Sequence, residues 1–389
     1  MVKNILFIIF PVLLIAQTEP IENLHENLPR VWTLTHAMIH TDPGNFIKDG
    51  SITIRNGKIE AVGRYIKTPK DAFEINLKGA HVYAGFIESW LEKELLNEKS
   101  KSTRKHWDKK VRPEHRSVDN LSIKNKEIKE LRSLGFTTAH LAPKQGIFRG
   151  QTGIINLMDK PKPIKSSVAQ VIDFKYRTKG QRTYPRSLLG VIAHIRQTFF
   201  DSEWYIKAQE IFEAYPSENE PLASNIALES LGMSRAVNKP FVFVTTNETY
   251  SHRAMNIVNE FNLNPWILGS GYEYRRLDYF SNNKVYFILP IDFPSKPNVV
   301  KPMSDLQYLT EELKHWDMAP DNLFYLNDAG FDFSITSHSL KKKSQFRTNL
   351  QKIIDRGLSK DIVLAALTTQ PAEALGMHKS LGRIAPGYD

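Results

Sequence analysis

Cysteine is absent from all 389 residues. That excludes disulfides, thiolate metal sites, a cysteine-linked lipid anchor and cysteine nucleophiles. An exported protein without disulfides suits a bacterial periplasm or cell surface better than a small secreted eukaryotic scaffold. Also missing is any apolar run of about 20 residues, the length a membrane-spanning helix requires. The chain has no Gly-x-Gly-x-x-Gly turn or phosphate-cradling loop, which removes the usual sequence grounds for nucleotide binding. It has no His-Glu-x-x-His pair and no Gly-x-Ser-x-Gly elbow, and Gly269-Ser270-Gly271 is only a glycine-flanked turn. Internal repeats and low-complexity tracts are lacking too.

What is present is the balance of a soluble globular protein, 41% hydrophobic and 24% charged residues, in a length that suits one large α/β barrel with a small satellite domain. The net charge of +10 is concentrated in Lys99, Lys101, Arg104, Lys105, Lys109, Lys110 and Arg112. Such a run reads as a solvated helix or loop. No aromatic-interleaved motif accompanies it, so nucleic acid is not expected as a partner; docking on an acidic surface is the other reading. At the start, Lys3 precedes an apolar run from Ile5 to Ile15 and then Ala16-Gln17, the pattern of a secretory signal peptide over residues 1–17. The alternative is a buried strand or a retained anchor.

Between Val31 and Ile75 the pattern is strand-like. Asn56-Gly57 separates Ser51–Arg55 from Lys58–Gly63, a strong hairpin signal, and predicts a small antiparallel sheet. After Gly79, apolar runs at Phe136–His140, Phe241–Val244, Pro265–Leu268 and Val285–Leu289 alternate with helical patterns such as Ser251–Phe261 and Leu358–Thr368. Strands alternating with helices imply parallel pairing. The length favours a (β/α)8 barrel, with a doubly wound sheet as the alternative.

The segment from Trp32 to Thr41, then Asp49–Gly63, then Gly79-Ala80-His81-Val82-Tyr83-Ala84-Gly85-Phe86-Ile87-Glu88 resembles the amino-terminal β-sandwich and first barrel strand of the amidohydrolase superfamily. The tail agrees, from Gly357-Leu358-Ser359 through Ala365–Ala372 to Leu381-Gly382-Arg383-Ile384-Ala385-Pro386-Gly387-Tyr388-Asp389. The resemblance implies a composite sandwich over residues 30–80, a (β/α)8 barrel over 81–380, and the start of a return to the sandwich at 381–389. Family sequences continue with strands that complete that sandwich, so the expectation is a fragment or the first part of a longer polypeptide. The segments Trp107–Glu114 and Gly146–Gln151 resemble exported members that carry two such units in tandem.

The resemblance further implies hydrolysis of carbon–nitrogen bonds other than peptide bonds, with one or two metals activating water. Their ligands would be a His-x-His pair on strand one, single histidines on strands five and six, and an aspartate on strand eight. In this chain those positions fall on Trp90 and Glu92, Thr245, Gly269 and His338. No inherited ligand is unchanged, and the expectation is a silent site without a metal cofactor, His338 standing where the catalytic aspartate would be. The alternative is a relocated site for zinc or another divalent metal built from Glu92, His140 and His338. If the protein is instead a non-catalytic module, Trp90 and Phe148 would plug the barrel mouth. The partner would then be a small ligand at that mouth or a second amidohydrolase-like unit.

Overall fold

In the computed structural model, residues 30–94, 105–119, 121, 123–175, 184–299 and 303–389 are described. Residues 1–17, read from the sequence as a signal peptide, and the basic residues Lys99, Lys101 and Arg104 lie outside them. Among the described residues no helix is long and apolar enough to cross a membrane.

The first five strands, β1 (Val31–Asp42), β2 (Asn45–Arg55), β3 (Lys58–Gly63), β4 (Phe73–Asn76) and β5 (His81–Val82), form one sheet. Along β1 the buried positions Val31, Thr33, Thr35, Ala37 and Ile39 alternate with more exposed ones, as one covered face requires. The β2–β3 hairpin turns on Asn56 and Gly57, both left-handed with φ of 52° and 81°, the conformation that an Asn-Gly turn accommodates. The sheet is nevertheless not purely antiparallel. β4 and β5 both pair parallel to β1 on the edge opposite β2, because residues 64–72 carry the chain across before it turns back. The tail joins the same sheet: Ile384 N–H donates to Thr41 O at 3.1 Å, and Ile59 and Tyr388 are linked by a 2.8 Å bond. Ile384 then packs with Ala37, Ile39, Ile52 and Ile59.

The remaining strands are β6 (Phe86–Lys93), β7 (Phe136–Pro143), β8 (Phe148–Gln151), β9 (Gly153–Asn156), β10 (Pro163–Lys165), β11 (Gln170–Asp173), β12 (Pro240–Val244), β13 (Asn264–Leu268), β14 (Tyr286–Pro290) and β15 (Asp332–Thr336). β6 pairs parallel with β7, and β11 to β15 pair parallel in chain order. The predicted strands are found here with bounds shifted by one to three residues. One element departs from strict β/α alternation. β8 and β9, separated only by Thr152, form one stretch that runs antiparallel to β11 on one side and to β7 on the other. Residues 144–147 are too few for the crossover that parallel pairing needs, so the chain reverses at Gly146, φ 119°.

The helices are α1 (Asn125–Ser133), α2 (Leu188–Ala214), α3 (Ile226–Ala236), α4 (Glu248–Phe261), α5 (Thr310–Met318), α6 (Asn322–Asp328), α7 (Gln345–Asp355), α8 (Lys360–Leu367) and α9 (Thr369–Ala374). Side-chain caps from Ser187, Asn225, Asn247 and Ser359 start α2, α3, α4 and α8, satisfying amide groups with no partner inside the helix. Strand phenylalanines Phe136, Phe148, Phe241, Phe243, Phe287 and Phe333 form the core together with the helical Phe199, Phe261 and Phe346. Burying one such ring contributes roughly 1.5–3 kcal/mol.

Candidate functional site

In parallel sheets covered by helices, functional side chains gather where the strands end. At the carboxyl ends of β6, β7 and β11 the structure places a charged cluster inside the protein. Arg149, on β8, sits between two carboxylates: Nη1 lies 2.7 Å from Glu92 Oε1 and Nη2 lies 2.6 Å from Asp173 Oδ2. Nη1 also donates to Pro143 O at 3.3 Å. The Arg149 side chain is 5% exposed, so the pairing takes place largely out of water. Burial works against the charge of Glu92 and of Arg149. For Glu92 the guanidinium outweighs it and holds the carboxyl below its usual range. Asp173 and Glu92 together hold Arg149 in its charged form.

Arg149 stands where Phe148 was expected. Along a strand, successive side chains point to opposite faces. Phe148 goes outward to meet Phe199 of α2, ring centroids 5.4 Å apart, which leaves Arg149 facing inward. Trp90 is fully buried; its Nε1 donates to Glu92 Oε1 at 3.2 Å and its ring packs T-shaped against His140 with centroids 5.8 Å apart.

Of the other sequence-inferred positions, His140, Thr245 and Gly269 are also committed. His140 has both ring nitrogens engaged, Nδ1 with Ser89 O at 3.0 Å and Nε2 with Thr152 Oγ1 at 2.7 Å. Burial lowers its pKa to about 4, so the ring is neutral at neutral pH. Thr245 donates its hydroxyl to Leu268 O at 2.9 Å, tying β12 to β13. At Gly269 a Cβ would lie 2.8 Å from Leu289 Cδ2 and 3.0 Å from Glu273 Oε1, so no histidine fits unless the buried Glu273 moves. His338 follows β15, and among the described residues its ring makes no hydrogen bond. Burial lowers its pKa; Glu92 opposes that shift, and Lys343, Arg149 and Lys144 reinforce it.

Glu88 joins β15 to β6, which share no backbone ladder. Its buried carboxyl accepts from Ser337 N–H at 3.1 Å, from Trp90 N–H at 3.3 Å, and from the hydroxyls of Thr336 and Ser337. Lys343 Nζ donates to Ser337 O at 2.7 Å and to Ser337 Oγ at 2.8 Å, which leaves the serine proton directed at Glu88. Burial nonetheless pushes the Glu88 carboxyl above its usual range.

These residues do not fit a divalent cation. Glu92 is neutralised by an internal cation, His140 has no free nitrogen, and Trp90, Thr245 and Gly269 offer no imidazole. Among the described residues no three of His, Cys, Asp and Glu converge on one point. The relocated set Glu92, His140 and His338 shares one end of the sheet without forming a common donor set. Sequence reasoning passed over Arg149 and Asp173 as site residues. The signal was slight: an arginine and an aspartate on short strands whose four residues are all buried need an opposite charge nearby. A separate groove of about 830 Å³ opens at the opposite ends of β12 to β15, lined by Pro240, Asn264, Trp266, Tyr286, Asp332 and Gln370. None of the sequence-inferred residues reaches it.

No family model matches the sequence, and no curated protein does. Solved structures do. An amidohydrolase from Thermotoga maritima MSB8 superposes with a TM-score of 0.71 at 20% identity, covering 92% of each chain. A prolidase complexed with N-methylphosphonate-L-proline gives 0.51 at 14% identity, covering 92% of this chain and 90% of the other. A Xaa-Pro dipeptidase with bound methionine gives 0.51 at 10% identity over 92% of each. The chain has the amidohydrolase superfamily fold.

Proposed function

We propose that, on this fold, the chain is a non-catalytic module in which an arginine takes the place of a metal, rather than a working metal-dependent hydrolase. The observation that carries this is the Arg149 guanidinium clamped between Glu92 and Asp173. It supplies positive charge to the strand ends without a coordination position for water, so it cannot generate the hydroxide on which metal-dependent amide hydrolysis depends.

The layout is a first sheet over residues 30–80, a (β/α)8-type barrel over 81–380 and a tail at 381–389 returning to that sheet. The in-order parallel ladder from β11 to β15, the Glu88 link between β15 and β6, and the Ile59–Tyr388 bond support it. The role is packing against a second amidohydrolase-like unit. Phe200, Trp204 and Ile211 stand exposed at helical spacing on α2, with Met233 and Val237 exposed on and just beyond the neighbouring α3. Apolar side chains grouped in this way mark interaction surfaces. The leader-like residues 1–17 support export to the periplasm or cell surface.

The test reconstitutes the purified protein with zinc, manganese or iron and assays dipeptides and cyclic amides. No turnover above buffer, and metal uptake unaffected by Glu92→Ala/His338→Ala, are expected. Turnover that disappears in His338→Ala, or metal lost specifically in the double variant, would restore carbon–nitrogen hydrolysis as the function.

A further inference from the structure

We propose that His40 and His81, on the first sheet, form a chelating site for a borderline divalent transition cation such as Zn(II), Ni(II) or Cu(II). This site is separate from the strand ends described above. β1 and β5 lie side by side with Ile39 opposite Val82, so His40 and His81 are near neighbours on two adjacent strands of one sheet. His40 Nε2 and His81 Nδ1 are 2.9 Å apart. Two imidazoles bound to one tetrahedral zinc at about 2.0–2.1 Å have nitrogens roughly 3.3 Å apart. The pair is therefore within a few tenths of an ångström of a chelating bite, and a cation can replace the single proton that the two nitrogens now share.

The surroundings hold the rings in place. Tyr83 stacks on His40 with centroids 4.2 Å apart and planes 12° apart, and its hydroxyl lies 3.5 Å from His81 Nδ1. The two imidazoles are themselves near-parallel at 5.1 Å. Negative charge comes from Asp361, at the start of α8. Its carboxylate acts electrostatically on His40 and lies 3.7 Å from where a Cβ on Gly44, in the β1–β2 turn, would sit. Two neutral imidazoles with a nearby carboxylate select zinc, nickel and copper over magnesium and calcium, which prefer all-oxygen sites. Water completes the coordination, since only two imidazoles converge. A bound ion would join β1 to β5 directly.

The experiment uses the full chain, stripped with a chelator and titrated by calorimetry with zinc, nickel, copper and magnesium chlorides. One equivalent of zinc, nickel or copper should bind, with no magnesium. His40→Ala and His81→Ala should each weaken binding at least tenfold, and Asp361→Asn a few-fold. His36→Ala should change nothing, because His36 is a single imidazole paired with Asp49 at 2.8 Å. The copper complex should show coupling to two nitrogens by electron paramagnetic resonance. Where His40→Ala disturbs the sheet, His81→Gln at a more exposed position gives the same answer. Unchanged affinity in His40→Ala/His81→Ala, equal loss in His36→Ala, or no binding by the wild type overturns the proposal.

Discussion

Arg149 Nη2 lies 2.6 Å from Asp173 Oδ2, and the other terminal nitrogen of the same guanidinium lies 2.7 Å from Glu92. One buried cation therefore answers a buried anion, Asp173, and a partly buried one, Glu92. Arg149→Met leaves those carboxylates desolvated beside each other, and breaking a buried pair in this way costs about 3–5 kcal/mol. Denaturant unfolding should show that loss. Arg149→Met/Glu92→Gln/Asp173→Asn should recover much of it, since no charge is then stranded. A single variant within about 1 kcal/mol of wild type would mean that the cluster is hydrated and unimportant.

His140 makes stability depend on pH in a defined window. Its native pKa of about 4 lies below the unfolded value of about 6.5. Above pH 6.5 both states are neutral and the residue adds no pH dependence. As pH falls from 6.5 to 4, the unfolded chain takes up a proton that the native state refuses, and stability drops by about 3 kcal/mol before levelling off. Unfolding midpoints across that range should show the slope, and His140→Gln, which keeps a donor and an acceptor, should flatten it. An unchanged slope in the variant would assign the effect to another group.

Glu88 should tolerate an isostere and not a truncation. Glu88→Gln keeps an acceptor for Ser337 N–H and matches the neutral acid that burial favours, so a loss of about 1 kcal/mol or less is expected. Glu88→Ala leaves that amide and two hydroxyls without their acceptor and opens a cavity where β15 meets β6, for about 2–4 kcal/mol. Thermal unfolding of the two variants decides the point; equal losses would make the carboxyl a space-filler.

Placing histidines at the positions that the family resemblance aligns with metal ligands should not create a metal centre. Trp90→His removes a fully buried ring and should cost about 2–4 kcal/mol, and Arg149 still neutralises Glu92. Gly269→His collides with Leu289 and Glu273. Elemental analysis of Trp90→His in a His40→Ala/His81→Ala background should find no stoichiometric metal. Finding it there would show that the guanidinium yields to a cation.

Much of the fold was legible because local patterns carry it. Asn56-Gly57 encodes its own left-handed turn, and the apolar runs at 241–244, 265–268 and 285–289 are strands wherever they are buried. The turn Gly85-Phe86-Ile87-Glu88 pointed to Trp90 and Glu92, which lie on β6, and the separate strand patterns pointed to Thr245, Gly269 and His338, which lie just past β12, β13 and β15. Less legible were the parallel pairing of β4 and β5 with β1, and the reversal at Gly146 that sets β8 and β9 antiparallel. Both depend on which edge a strand meets after a crossing, and short-range residue preference does not encode that.

By itself the sequence determined most of the element types and the absence of thiol chemistry, because composition and spacing carry those directly. Tertiary structure alone decided which charged groups meet at the strand ends. Glu92, Arg149 and Asp173 are far apart along the chain and meet only when β6, β8 and β11 converge. Their charges become strongly coupled because folding removes the water that would otherwise screen them. The same holds at the first sheet, where His40 and His81 become a pair only through the register of β1 against β5.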